Sequence, residues 1–329
     1  MLPESKAKTP ETCVTYARVA QVVLRHADRL RERGDLGGVT DRNLSMALAW
    51  QARLSNVQPA TARLYRAAVL FAIEQQPGAM DAQALEVLSP ECTEVETERA
   101  HQLATERDVN LRTLRGSQQR AEYLSKDDWI ALITALRASD SQSGSTAADW
   151  LVCSRVTGLR PCEWQHASLE GAALKVVNAK ATHQRSHGRQ RTIDLHMVSK
   201  VLLDLIGTFI QRISEHSHEA FEALYNRVRD LIADVGRRTL TKRRRYPTLY
   251  TARHMFAASA KATCSKAEVA ALMGHASIET AERHYAAARH ARNGFPLEAR
   301  PNPRDVSTVQ QLHAAKLARA FLADQEHRA

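Results

Sequence analysis

The sequence predicts a mainly α-helical protein with one small β-hairpin or sheet, divided into two domains. Three observations lead there. Ala, Leu and Arg dominate, while Phe, Trp and Tyr supply only 5% of residues, a balance that favours helix over sheet. Apolar residues recur at three- and four-residue intervals along most of the chain and form only two short strand-like runs. The 329 residues exceed what one ordinary core holds.

The first domain is expected over residues 1–90 and is all helical. Thr9-Pro10-Glu11 opens a helix with proline in its first turn, Tyr16, Val19, Ala20, Val23 and Leu24 follow at helical spacing, and Gly34 and Gly37-Gly38 end it. Thr40-Asp41 caps a second helix through Ala49, and Gln58-Pro59-Ala60 opens a third that Pro77-Gly78 stops. Asp81 to Leu88 is a candidate fourth. Residues 91–122 are polar and charged and read as a linker, with Arg112, Arg115 and Arg120 solvated rather than touching phosphate.

The second domain is expected over 123–329. Ser125-Lys126-Asp127-Asp128 is a capping box with Asp in place of Glu, ahead of Trp129, Leu132, Ile133 and Leu136. A helix over 147–156 follows. Ala173–Asn178 and Arg191–Leu195 read as two strands of a hairpin with a long polar tip. Helical patterns return over 197–213, 219–235, 249–262, 265–272 and 277–288. A last amphipathic helix over about 307–323 packs on its own domain or docks on a neighbouring subunit.

Lys and Arg outnumber Asp and Glu by 46 to 36, a net charge of +10, which suits a polyanionic partner. No apolar run approaches the roughly 20 residues of a membrane span, and the N-terminus lacks a signal-peptide pattern, so a cytoplasmic, nucleoid-associated protein without a membrane partner is expected. The five cysteines, Cys13, Cys92, Cys153, Cys162 and Cys264, are odd in number and scattered. They suggest neither a disulfide framework nor a zinc site, and no metal or cofactor is expected.

Three local signals carry chemistry. In Thr157-Gly158-Leu159-Arg160-Pro161-Cys162-Glu163 a helix stops at glycine, presents Arg160, and restarts at proline with Glu163 placed to brace the guanidinium. In Tyr250-Thr251-Ala252-Arg253-His254-Met255-Phe256-Ala257, Arg253 sits on a core-like helix and so needs an anionic partner. Upstream, Lys242, Arg243, Arg244 and Arg245 form a basic run, and residues 236–256 contain no acid, which makes the run a candidate DNA contact. In the third, Gly274 exposes His275, Ser277 is placed to cap the next helix, and Tyr285 lies two turns along it.

Arg160 in T-G-L-R-x-x-E, Arg253 in Y-x-x-R-H-x-F-A, His275 in G-H and Tyr285, in that order, resemble the catalytic set of the tyrosine recombinase (phage integrase) family. The resemblance spans about 124–288. His275 lies 22 residues after Arg253 and Tyr285 lies 10 after His275, separations like those of the family. The helical N-terminal unit resembles the family's core-binding domain in pattern only. Lys180, directly after the first strand, is the candidate for the family's hairpin lysine, and Lys175 faces solvent.

The resemblance implies a site-specific DNA recombinase. Tyr285 would attack the scissile phosphate to form a 3′-phosphotyrosine, Arg160 and Arg253 would clamp the non-bridging oxygens, and Lys180 would protonate the leaving 5′ oxygen. His275, with Tyr250, would hydrogen-bond the phosphate or move a proton. The covalent link stores the phosphodiester energy, so neither ATP nor a metal is implied. The implied partners are double-stranded recombination sites, three further copies in a homotetramer, and other recombinases or accessory DNA-bending proteins. The two domains would clamp the duplex.

Two departures stand out. Tyr250 occupies the place where the family most often has His, and the nucleophile falls one position later than in many relatives, with His284 before it. Tyr285 is the better nucleophile because stable phosphodiester exchange needs a phenol. A catalytically impaired DNA-binding relative and a type IB topoisomerase-like enzyme are the alternatives.

Overall fold

The structure, a computed structural model, describes residues 8, 10–54, 57, 59–75, 82–89, 120–179, 186–241, 244–291 and 294–326. The chain divides into two units, Met1–Ser117 and Gln118–Ala329. None of the described helices is long and apolar enough to cross a membrane. The four described cysteines are free.

The first unit holds α1 (Pro10–Glu32), α2 (Arg42–Gln51), α3 (Pro59–Glu74) and α4 (Ala82–Val87). Asp41 caps α2 by accepting the Leu44 N–H at 2.7 Å. Gly34, Gly37 and Gly38 all take positive φ after α1, as the turn there requires. Val23, Ala47, Trp50, Ala68, Val69 and Leu88 close one apolar core. The Trp50 indole N–H is satisfied by the Ala62 carbonyl at 2.9 Å.

The second unit opens with α5 (Lys126–Arg137), whose Ser125 Oγ accepts the Asp128 N–H at 3.1 Å as the capping box predicts, and α6 (Gly144–Thr157). A 3₁₀ helix (Pro161–His166) leads to β1 (Ser168–Glu170), β2 (Ala173–Val177) and β3 (Gln190–Asp194). Then come α7 (Lys200–Ser214), α8 (His218–Thr239), α9 (Leu249–Thr263), α10 (Lys266–Met273), α11 (Thr280–His284), β4 (Arg300–Pro301) and α12 (Pro303–Glu326). The sheet is antiparallel in the order β1-β2-β3-β4, larger than the expected hairpin. β1 and β4 are only three and two residues long, too short to show a period-two pattern.

Trp150, Trp164 and Phe209 meet in the core, with Phe209 5.7 and 5.0 Å from the two indoles. Burying one large apolar side chain contributes about 1.5–3 kcal/mol, so this cluster firmly sets the positions of α6, the 3₁₀ helix and α7. Arg120 and Ala121 join this unit through a bridge to Tyr246, and the Arg120 guanidinium lies 5.7 Å over the Tyr250 ring. The terminal helix docks its first turns on its own unit. Val309 is fully buried against Ala270 and Ala271, and Asp305 accepts the Thr192 N–H of β3 at 2.9 Å. Farther along, Leu312 and Leu317 are exposed.

Candidate active site

α6 ends at Gly158, whose φ of 68° is left-handed, and the Phe256 ring occupies the space a Cβ would need. The chain therefore leaves the helix abruptly and delivers Arg160 into the interior. Pro161 then starts the 3₁₀ helix with its φ preset, which brings Glu163 back over Arg160. The carboxylate accepts the Arg160 backbone N–H at 2.8 Å and Arg160 Nη1 at 2.6 Å. The expected brace is present, and both side chains are buried.

Arg253 comes from α9, where Ala252, Met255, Phe256 and Ala257 pack the core. It is fully buried. Nη2 donates to the Met273 carbonyl at 2.8 Å, Nη1 donates to the Gly158 carbonyl, and Nε donates to Tyr285 Oη at 3.0 Å. Nη1 also lies 3.8 Å from Glu163 Oε2. Arg160 and Arg253, remote in sequence, thus meet at one carboxylate.

A third guanidinium joins them that sequence reasoning missed. Arg191 of β3 donates to both Glu163 oxygens at 3.2 and 2.8 Å, to the Leu272 carbonyl at 3.0 Å and to Asn178 Oδ1. The strand's alternation places it on the same buried face as Ile193 and Leu195, which was the available signal. Gly274 (φ 67°) is needed for this approach, because a Cβ there would lie 2.7 Å from Arg191 Nη1.

His275 follows Gly274 directly and is buried. Among the described residues, neither of its ring nitrogens has a hydrogen-bond partner. Its ring lies 5.5 Å from that of Tyr285. Tyr250 sits one helical turn before Arg253.

Tyr285 corrects one expectation. It does not lie two turns along a helix over 277–288. α11 ends at His284, and Tyr285 is the extended residue after it (φ −128°, ψ 160°). Ser277 does not cap the helix either, since Glu279 holds the cap position and Ser277 Oγ accepts the Glu279 N–H at 3.3 Å. The helix stops because the next backbone groups are taken by α9, whose Lys261 Nζ donates to the carbonyls of Tyr285 and Ala286 at 3.1 and 3.0 Å. The phenol reaches Arg253, and His284 is exposed.

Lys180 lies outside the described residues, as do Lys242 and Arg243. Arg244 and Arg245 are exposed just before Tyr246. Lys175 pairs with Glu170 at 2.6 Å on the surface.

The electrostatics follow from burial and charge. Burial alone would raise the Glu163 carboxyl, but Arg191, Arg253 and Arg160 hold it well below the usual carboxylate range. Burial, with the nearby arginines, pushes His275 well below the ordinary imidazole value. It is therefore neutral near pH 7, one ring nitrogen a donor and the other an acceptor. Burial also raises the Tyr250 phenol, which keeps its proton. Three guanidiniums against one carboxylate leave two uncompensated positive charges beside a phenol oxygen. Such a cluster has the charge and the fixed donors that a tetrahedral oxyanion would need.

No family model matches the chain, and no curated protein is found as a relative. Among solved structures it is similar to a protelomerase covalently complexed with substrate DNA, at 15% identity and a TM-score of 0.47, over 86% of this chain and 90% of that one. It is also similar to a lambda integrase tetramer bound to a Holliday junction, at 15% identity and a TM-score of 0.48, over 85% of this chain and 72% of that one. A third is the Tn1549 transposon integrase in complex with transposon right end DNA, at 13% identity and a TM-score of 0.40, over 85% and 97%.

Proposed function

We propose that the chain is a tyrosine recombinase, a site-specific integrase that cuts and rejoins DNA through a covalent 3′-phosphotyrosine. The observation that carries this reading is the meeting of Arg160 and Arg253 at Glu163, with Tyr285 Oη 3.0 Å from Arg253 Nε. Phosphodiester exchange needs a nucleophilic oxygen, charge neutralisation and a proton for the leaving oxygen, and the first two are in contact here.

In the reaction, Tyr285 Oη passes its proton to the acceptor nitrogen of the neutral His275 and bonds to phosphorus while the P–O5′ bond breaks. The departing 5′ oxygen takes a proton from Lys180. The reverse step, with a different 5′-hydroxyl as nucleophile, rejoins the strands. The trigonal-bipyramidal state carries one more negative charge than the diester, and Arg160 and Arg253 stabilise it through paired donors. The neutral His275 donates a hydrogen bond to a non-bridging oxygen, as does the protonated Tyr250. Glu163 and Arg191 fix Arg160 without touching DNA. Arg244 and Arg245, with Lys242 and Arg243, bind the backbone away from the reacting ester. We propose the homotetramer on DNA, and the docking of exposed Leu312 and Leu317 on a neighbour, as part of the same reading.

The test uses nicked suicide duplexes spanning DNA that flanks the chain's own coding sequence. A protein–DNA adduct that survives denaturation is expected from the wild type and from His284→Ala, and none from Tyr285→Phe. An adduct that persists in Tyr285→Phe overturns the assignment. Relaxation of supercoils without any preferred site would instead place the chain with the topoisomerases.

A further inference from the structure

We infer that His254 and Lys261 are positioning residues that clamp the Tyr285–Ala286 backbone to α9 and so hold the phenol at Arg253 of the same chain. This rests on the recombinase reading above. Neither side chain belongs to the machinery described so far.

Helix α11 supplies little that holds Tyr285 in place. It is five residues long, and its last backbone bond is the Tyr285 N–H to the Ala281 carbonyl at 3.2 Å. From there the chain is extended, so helical bonding does not set where Tyr285 points. Three consecutive polar groups, the Tyr285 carbonyl and the Ala286 N–H and carbonyl, need partners as the chain enters the core, since Ala286 is buried.

α9 provides them all. Lys261 Nζ donates to the two carbonyls at 3.1 and 3.0 Å. His254 Nδ1 accepts the Ala286 N–H at 3.3 Å, and its ring lies 5.1 Å from the Tyr285 ring. His254 and Lys261 are seven residues apart, two turns on one helix face. Arg253, next to His254, grips Oη itself. One rigid helix therefore holds both the electrophile-binding guanidinium and the nucleophile's backbone, and their separation is set by α9 geometry.

Acceptance by Nδ1 requires a neutral ring. Burial pushes His254 down to about 4, so the lone pair is available near neutral pH. The other charged groups that act on this ring are Glu122, Arg120, Arg253 and Lys261.

Two readouts test the clamp on the full chain. The first needs no DNA and no catalysis: 3-fluorotyrosine is placed at position 285 and its ¹⁹F resonance recorded. Lys261→Met and His254→Leu are expected to move it, while Lys175→Ala, a surface change, leaves it in place. An unmoved resonance in both clamp variants overturns the inference, whatever becomes of the recombinase reading. The second is single-turnover adduct formation at saturating suicide duplex. Loss of alignment costs as much as about 100-fold per ångström, so a drop of at least about tenfold is expected with unchanged DNA affinity. Lys261→Arg, which keeps a cation, and His254→Asn, which keeps an acceptor, restore most of the rate. Failure of both conservative variants to do so, with thermal midpoints equal to the wild type, would also overturn the clamp. Absence of any adduct in the wild type strikes at the recombinase reading alone, because the resonance still reports on the clamp.

Discussion

The guanidinium cluster and the tyrosine segment serve one site but are built in opposite ways. Around Glu163 all three guanidiniums are buried, and two of them are also fastened at helix ends: Arg253 to the Gly158 cap of α6 and to Met273 of α10, Arg191 to Leu272 of α10. Tyr285 stands just past a one-turn helix, half-buried, and is held by side chains of α9. The guanidiniums are preorganised by the core, and the phenol by a few separable contacts. That division suits chemistry in which the field must be fixed before the nucleophile engages.

The largest test removes the field and leaves the phenol. Arg253→Ala or Arg160→Ala is expected to slow adduct formation by at least about 100- to 1,000-fold, the usual cost of one preorganised donor, with DNA retained in a gel-shift assay. Comparable rates would mean the cluster is structural.

Next, Glu163→Gln strips the shared anion and leaves three buried cations facing each other. Breaking a buried pair costs about 3–5 kcal/mol, and at about 2–4 °C per kcal/mol for a unit of this size a thermal midpoint lower by roughly 10 °C is expected. Differential scanning calorimetry would show it, and an unchanged midpoint would show that the cluster does not depend on Glu163.

Acid separates the two regions further. His254 is depressed to about 4 and His275 lies well below 6.5. The unfolded chain then binds more protons than the folded one below pH 6.5, so the stability from both rings is complete above that value. The His254 part is lost as pH falls through the window from 6.5 to about 4, and the His275 part as pH falls below 6.5. The Glu163 carboxyl is depressed, and its contribution is lost only in stronger acid. Chemical denaturation at pH 7, 5.5 and 4.5 is expected to give progressively lower midpoints. His254→Asn would flatten part of the trend. A pH-independent midpoint over this range would contradict neutral buried imidazoles.

The smallest effect is a control. Lys175→Ala breaks an exposed pair with Glu170 and is expected to change stability by less than about 1 kcal/mol.

Much of the site was legible in the sequence, for identifiable reasons. Arg253 on an apolar helix announced a buried charge, and the Gly-Leu-Arg-Pro stop and restart announced Glu163 over Arg160. Both signals are local, within one turn of backbone. Arg191 was missed because the alternation of β3 signals only its burial, while its partners lie on other elements. The helix expected through Tyr285 failed because periodicity cannot see Lys261 and His254 taking the backbone groups that another helical turn would use.

The sequence by itself determined the helical character, most of the helix starts and stops though not those of α11, and which residue types could meet an anion. These follow from caps, glycine conformations and the spacing of apolar side chains, all set by near neighbours. Only the tertiary structure decided that three guanidiniums share one carboxylate, that the phenol and not His284 reaches Arg253, and that α9 grips the chain beyond α11. Those outcomes depend on groups distant along the chain satisfying one another once water is excluded, a requirement that the core alone enforces.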